Sequence, residues 1–270
     1  MIHILTVHFR SPVWIDRQLR SINEFAPNAI TWASLDFIGD EHFAKFDHAV
    51  SLENEDLGPG IEPYASGSDD PSGDRHGLKL NELARRVCET ASDSDYLVFL
   101  DGDALLLQPL EPLVASQPEL IAVRRDENDG DLFPHPSFCL VSVGTWRAIS
   151  GDWRRGEFVT SASGRVMTDT GTRLVSLLDS NGLTWTPLLR MNKKNLHPVW
   201  FGLYGTLALG PVVYHHGAGS RPRVSRADLR PNAETKRWKR RTFAERQAAL
   251  DRKVQLLIDR KPHSWSEKFL

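Results

Sequence analysis

Asp101-Gly102-Asp103 directly follows the uninterrupted apolar run Tyr96-Leu97-Val98-Phe99-Leu100. Such a run is the pattern of a strand buried on both faces of a parallel sheet. In an open α/β sheet, ligands bind beyond the carboxyl ends of the strands. Two carboxylates one residue apart at such an end can reach a single divalent cation. Magnesium-like ions take one or two protein carboxylates and leave other positions to substrate phosphates and water. The spacing therefore suits a nucleoside diphosphate. Farther along stand Asp169, ahead of Leu174 and Leu178, and the pair His215-His216 after a short apolar run. A carboxylate at a helix start stays ionised beside the helix dipole and can serve as a positioned base. A neutral imidazole is a metal ligand or a phosphate contact, and strand alternation turns one of the two histidines toward the site. Each group also has a plain structural reading: Asp-Gly as a turn, Asp169 as a helix cap, a histidine as a packed side chain.

The elements that must position these groups read as α/β. Ile2–Phe9 is a β-branched, apolar strand. Ser11-Pro12 follows as a helix start, and Ile15, Leu19 and Ile22 form the stripe of a helix packed on a sheet. A second strand spans about 30–38, ending in Asp36 and a Gly39-Asp40 turn. Strand, helix and strand in this order imply a parallel sheet. Residues 51–77, with five glycines among Ser, Asp and Pro, read as a long functional loop. A helix begins near residue 78 with Leu80, Leu83, Ala84 and Val87 on one face. Beyond it the pattern predicts strands over 96–100, 120–123, 138–143 and 212–215 and a helix over 170–178.

The chain has 270 residues, is 40% hydrophobic and 25% charged, and carries a net charge of -2. That composition excludes a collagen, a disordered tail and a disulfide scaffold. Cys88 and Cys139 show no metal-ligand spacing and read as reduced, buried, inert thiols. No apolar run approaches the roughly 18 residues of a membrane span, and the N-terminus lacks signal-peptide features, so a cytoplasmic protein is expected. Residues 221–261 hold 14 Lys/Arg against 5 Asp/Glu, leaving an acidic body. Leu250, Val254, Leu257 and Ile258 give this segment a helical stripe. It reads either as a solvated helix covering the body or as a peripheral contact with an anionic membrane surface; no nucleic acid is expected.

Several stretches together resemble GT-A fold glycosyltransferases, particularly the family 2-like group. They are the strand and DxD motif through Asp103 with Leu107-Gln108-Pro109-Leu110, the upstream His76-Gly77-Leu78-Lys79-Leu80-Asn81, the acidic Thr168-Asp169-Thr170-Gly171-Thr172-Arg173-Leu174 and the late His215-His216-Gly217-Ala218-Gly219-Ser220. The resemblance implies a Rossmann-like nucleotide-binding half with a mixed central sheet. Residues 1–220 would form one large domain, with 1–110 binding nucleotide-sugar and 111–220 binding acceptor, followed by a basic helical extension at 221–270. It implies sugar transfer from a UDP-, GDP- or dTDP-sugar to a glycan, lipid-linked or small-molecule acceptor, with Mn2+ or Mg2+ as cofactor.

On that resemblance, Asp101, Asp103, His215 and His216 are the metal residues and Asp169 is the general base of an inverting transfer, retention being the alternative. Arg10, Asp36, Lys79 and Arg221, with Asp101 and Asp103, would meet the donor. Arg75 is a further phosphate candidate, and Phe133, His135, Trp146 and Trp153 are candidates for an acceptor platform. Two competing readings remain: a haloacid dehalogenase-type phosphohydrolase using the same strand and DxD, and a non-catalytic module that binds nucleotide-sugar or a polyanion.

Overall fold

The structure, a computed structural model, describes residues 1–57, 72–124, 133–156, 158–160, 166–190, 202–206 and 210–216. The basic segment 221–270 and Arg221 within it lie outside the described residues. β1 (Ile2–Phe9) leads through a 3-10 turn at Pro12–Trp14 into α1 (Ile15–Phe25). Ser11 is extended and Pro12 stands at the first helical position, where a fixed φ and a missing N–H cost nothing. β2 (Ile30–Asp36) lies parallel to β1 in a register that pairs His3 with Ile30 and Phe9 with Asp36. Both strands therefore end at one level, and Arg10 and Phe37 stand just beyond it.

β3 (His48–Val50), three residues long, lies parallel to β2 and has no signature in the sequence. α2 (Ser72–Cys88) starts six residues earlier than its leucine stripe predicts. Gly73 and Gly77 read as loop residues, yet Gly77 is needed inside the helix: a Cβ there would come within 2.8 Å of the Trp153 carbonyl oxygen. β4 (Tyr96–Phe99) is followed by β5 (Ala104–Leu106), α3 (Glu111–Ala115) and β6 (Leu120–Arg124). β7 (Pro134–Ser142) then passes into α4 (Val143–Ala148), where the Ser142 hydroxyl caps the Thr145 N–H. β8 (Val159–Thr160) and β9 (Val166–Met167) form a separate two-stranded sheet. α5 (Thr172–Ser180), β10 (Thr186–Arg190), β11 (Gly202–Thr206) and β12 (Gly210–His215) complete the described chain.

The main sheet runs β3-β2-β1-β4-β7-β6-β10 and continues through β11-β12-β5. Its centre is mixed: β3, β2, β1 and β4 are parallel, β7 is antiparallel to both neighbours, and β6 and β10 are parallel. The expected α/β class with a mixed central sheet is what the structure shows, and one sheet joins the front and rear halves into one domain. β4 is buried on both faces. Val98 and Leu100 pack with Ile22 of α1 and with Ala26 at its end, and Leu97 and Phe99 pack with Leu80, Leu83, Ala84 and Val87 of α2 and with Leu174 and Leu178 of α5. Both cysteines are free thiols; Cys139 is buried as expected, whereas Cys88 is only half-buried. Among the described residues, no helix is long and apolar enough to cross a membrane.

Candidate active site

The turn after β4 carries the site. Leu100 still pairs with β1, its N–H donating to the Leu5 carbonyl, and the chain then turns so that the Ala104 N–H returns to the Asp101 carbonyl. Only glycine fits between the two aspartates: a Cβ on Gly102 would lie 2.6 Å from the Val7 carbonyl oxygen and 2.9 Å from His8 Nδ1. Gln18 of α1 holds the turn from behind, its amide nitrogen donating to the carbonyls of Asp101 at 2.7 Å and Ala104 at 3.0 Å. Its carbonyl oxygen accepts from the Thr6 hydroxyl and faces His8 Nε2 at 3.0 Å. The two carbonyl acceptors fix the amide's orientation, so Nε2 of His8 must carry the proton.

β12 supplies the imidazole. It pairs antiparallel to β5 with His215 opposite Ala104, and the His216 N–H donates to the Asp103 carbonyl at 3.1 Å. His215 Nε2 thereby stands 3.4 Å from Asp101 and 3.3 Å from Asp103. One ligand atom from each of Asp101, Asp103 and His215 falls within 4.8 Å of the others, the separation of groups that can share one ion. His76, near the start of α2, lies 3.3 Å from the other oxygen of Asp101. Burial pushes the Asp101 carboxyl above its ordinary pKa; His76 and His215 oppose this, and Asp103 adds to it. A divalent cation would relieve that crowding, and two carboxylates with one imidazole are a donor set that can hold one.

Strand alternation separates the two histidines. Tyr214 and His216 share one side, the Tyr214 hydroxyl lying 2.8 Å from His216 Nδ1 and the Trp14 ring 4.4 Å from the imidazole centroid. His216 packs between Tyr214 and Trp14, and of the two histidines expected at the metal it is His215 that stands in the carboxylate cluster.

Asp36 and Lys79 also move from the donor to the interior. Their ion pair is 2.6 Å long and almost wholly enclosed. The Asp36 carboxylate further accepts from Ser34 Oγ at 2.8 Å and the Leu52 N–H at 2.9 Å. In this arrangement neither charge faces solvent for a donor to meet. Arg10 is exposed at the end of β1, its N–H donating to the Asp36 carbonyl and its guanidinium set over the rings of Phe9 and Phe37 at 4.8 and 4.7 Å. Arg10 and Phe37 both adopt positive φ, at 57° and 56°, a conformation costly for residues with side chains. Arg75 donates to the Glu53 carbonyl at an exposed position.

Asp169 is not the helix cap. The N-cap position of α5 is Gly171, left-handed at φ 96°, where a Cβ would stand 2.2 Å from the Pro134 carbonyl oxygen. Asp169 precedes it, half-buried, one carboxylate oxygen accepting from the Thr170 N–H at 2.8 Å. The acceptor-platform expectation fails for three of its four residues. Phe133, Trp146 and Trp153 are buried, and both tryptophans pack against Phe99 in the core. His135 is at the site, its ring centroid 5.5 Å from that of His215. Arg221 and Gly217 to Ser220 lie outside the described residues. Sequence reasoning missed Gln18 and quoted His76 only as part of a motif, without a role. The first is a polar residue inside an otherwise apolar helical stripe, and the second is a histidine at a helix start.

His8 gives the site a pH signature. Burial lowers its pKa to about 4, against which the bond to Gln18 and the charge of Asp103 act. The unfolded chain, with histidine near 6.5, takes up its proton first as the pH falls. The stability that His8 confers is therefore complete above about pH 6.5 and is lost as the pH falls toward 4, about 3 kcal/mol in all. Urea denaturation across that range should show this loss, and a His8→Gln variant should show a shallower one by close to one proton.

No protein-family model matches the chain, and neither does any curated protein. Solved structures do. The galactosyltransferase LgtC with donor and acceptor sugar analogues matches at 16% identity and TM-score 0.36, over 54% of this chain and 59% of that one. TarS of S. aureus with UDP-GlcNAc matches at 12% identity and TM-score 0.35, over 60% and 50%. The glycosyltransferase GlyE of Streptococcus pneumoniae TIGR4 matches at 11% identity and TM-score 0.34, over 55% and 35%. Each match spans less than two thirds of the other chain.

Proposed function

We propose that this chain is a metal-dependent glycosyltransferase that moves a sugar from a nucleoside diphosphate donor to an acceptor hydroxyl. The observation that carries this reading is the convergence of Asp101, Asp103 and His215 at the carboxyl edge of the sheet. Those three residues would hold Mn2+ or Mg2+, which when bound supplies Lewis-acid relief of the charge growing on the departing diphosphate. Asp101 and Asp103 are fixed by Gln18, Gly102 and the β5–β12 register, so the receiving carboxylates are set before a donor arrives. Residues 1–110 would receive the donor, with Arg10 at its outer wall and Arg221 adding a bidentate diphosphate contact. Residues 111–220 would receive the acceptor.

The chemistry of transfer is one substitution at the anomeric carbon. The acceptor oxygen forms the new bond, the bond to the diphosphate breaks, and the acceptor proton must leave. Asp169 is the proposed proton acceptor for an inverting transfer; the Thr170 N–H holds one oxygen and directs the carboxylate. The basic 221–270 extension would rest on an anionic membrane surface, which favours a lipid-linked acceptor among the glycan, lipid-linked and small-molecule classes.

A thermal-shift screen tests the reading. UDP, GDP, dTDP and CDP are each added with and without manganese; ligand at a hundredfold excess over its dissociation constant stabilises by about 2.7 kcal/mol. A shift for one nucleotide, present only with the metal, is the expected result. No shift with any of the four, together with turnover of a generic phosphate ester, would transfer the assignment to the phosphohydrolase reading.

A further inference from the structure

Asp152, outside every motif of the sequence, is a nearly buried carboxylate with partners on two helices. One oxygen accepts from Asn81 Nδ2 of α2 at 2.6 Å and from the Arg154 N–H at 2.9 Å. The other accepts from Arg154 Nε at 2.9 Å and lies 3.1 Å from Arg173 Nε of α5. The next residue repeats the bridge through its backbone. The Trp153 N–H donates to Asn81 Oδ1, its carbonyl accepts the Gly171 N–H, both at 2.9 Å, and Gly77 of α2 packs against that same carbonyl. The Trp153 ring, edge-on to Phe99 at 5.1 Å and fully enclosed, keeps the loop from sliding. Burial pushes the Asp152 carboxyl up, yet the bonds from Arg154 and Asn81 outweigh it and the net shift is downward. The group is therefore anionic at neutral pH.

We infer that Asp152 is a positioning residue that clamps the middle of α2, at Gly77 and Asn81, to the start of α5. α2 carries His76 beside Asp101, and Arg173 stands four residues after Asp169, so the clamp sets the spacing between the helix that bears His76 and the segment that bears Asp169. A buried anion shared by an amide and two guanidiniums is stiffer than a neutral bridge, because charge-assisted bonds are shorter and stronger. Its consequence for turnover rests on the proposed transfer reaction; the clamp itself does not.

Two variants and two readouts test it. In Asp152→Asn, amide hydrogen exchange should rise at least tenfold together at 77–82 and 170–174, with β1 and β4 unchanged. Arg173→Met should raise exchange only at 170–174. With the nucleoside diphosphate and sugar donor selected by the screen, both variants should keep metal-dependent nucleotide binding within threefold. Both should lose at least tenfold in kcat, and the double variant should be no worse than the worse single one, as expected for groups acting as a unit. Exchange that rises everywhere, or at neither of these two segments, would overturn the clamp. Asp152→Asn turnover within threefold of the original would overturn its positioning role. If the unmodified protein turns over no donor, the transfer reading fails while the exchange result still decides the clamp.

Discussion

An Asp103→Ala variant is expected to lose the metal-dependent rise in melting temperature with every nucleotide, and at least about a thousandfold in transfer, a loss of about 4 kcal/mol. The reason is geometric. Asp103 shares the point between Asp101 and His215, and its backbone carbonyl, which accepts the His216 N–H, survives the substitution. Removing its side chain also removes one negative charge beside Asp101, whose carboxyl is already pushed up by burial and by this neighbour. The free protein should therefore melt no lower than before, and can melt higher, the usual sign of a functional group kept at the expense of stability. Asp169→Ala should separate binding from chemistry. The metal-dependent shift is retained while transfer falls about 10²–10⁴-fold, the range of a lost general base. Calorimetry with manganese and the selected nucleotide, beside a transfer assay, measures both. A full nucleotide shift in Asp103→Ala would remove the metal site from the mechanism.

The parts of this fold legible in the sequence are those whose pattern is local. β4 is buried on both faces and reads as an unbroken apolar run, β1 as a β-branched, largely apolar strand, and α1 and α2 show their stripes. The DxD is contiguous, so its place after a buried strand follows directly. Two of the strands that escaped detection, β3 and β5, are defined by partners outside their own stretch of sequence. β3 has three residues and a stacked His48–Trp32 pair, and β5 exists because β12 returns to it more than a hundred residues later. The site divides in the same way. Alternation along β12 says that one of His215 and His216 faces inward, but Tyr214 and Trp14 decide which. Trp146 and Trp153 read as aromatic faces for a sugar because tryptophan looks alike in a core and in a cleft. Asp36 sits at a strand end, the ordinary place for a ligand contact, and only the fold reveals that Lys79, 43 residues away, neutralises it.

That buried pair sets the second large effect. Lys79→Met should destabilise the protein by about 3–5 kcal/mol, since it leaves an enclosed carboxylate without its counter-charge. For a chain of this size the loss corresponds to a fall in melting temperature on the order of 10 °C. Ser34 Oγ and the Leu52 N–H still donate to the carboxylate, which keeps the cost below that of an isolated buried ion. Adding Asp36→Asn to Lys79→Met removes the orphaned charge and should recover most of the loss, because a buried pair replaced by neutral groups is often close to neutral in energy. The cycle of single and double variants in urea denaturation isolates the coupling. The same cycle separates two roles for these residues. If Lys79 met the donor's phosphates directly, Lys79→Met would lower nucleotide affinity and leave the melting temperature nearly unchanged. If it shapes the wall behind Arg10, whose N–H rests on the Asp36 carbonyl, stability falls first, and the double variant restores nucleotide affinity and stability together.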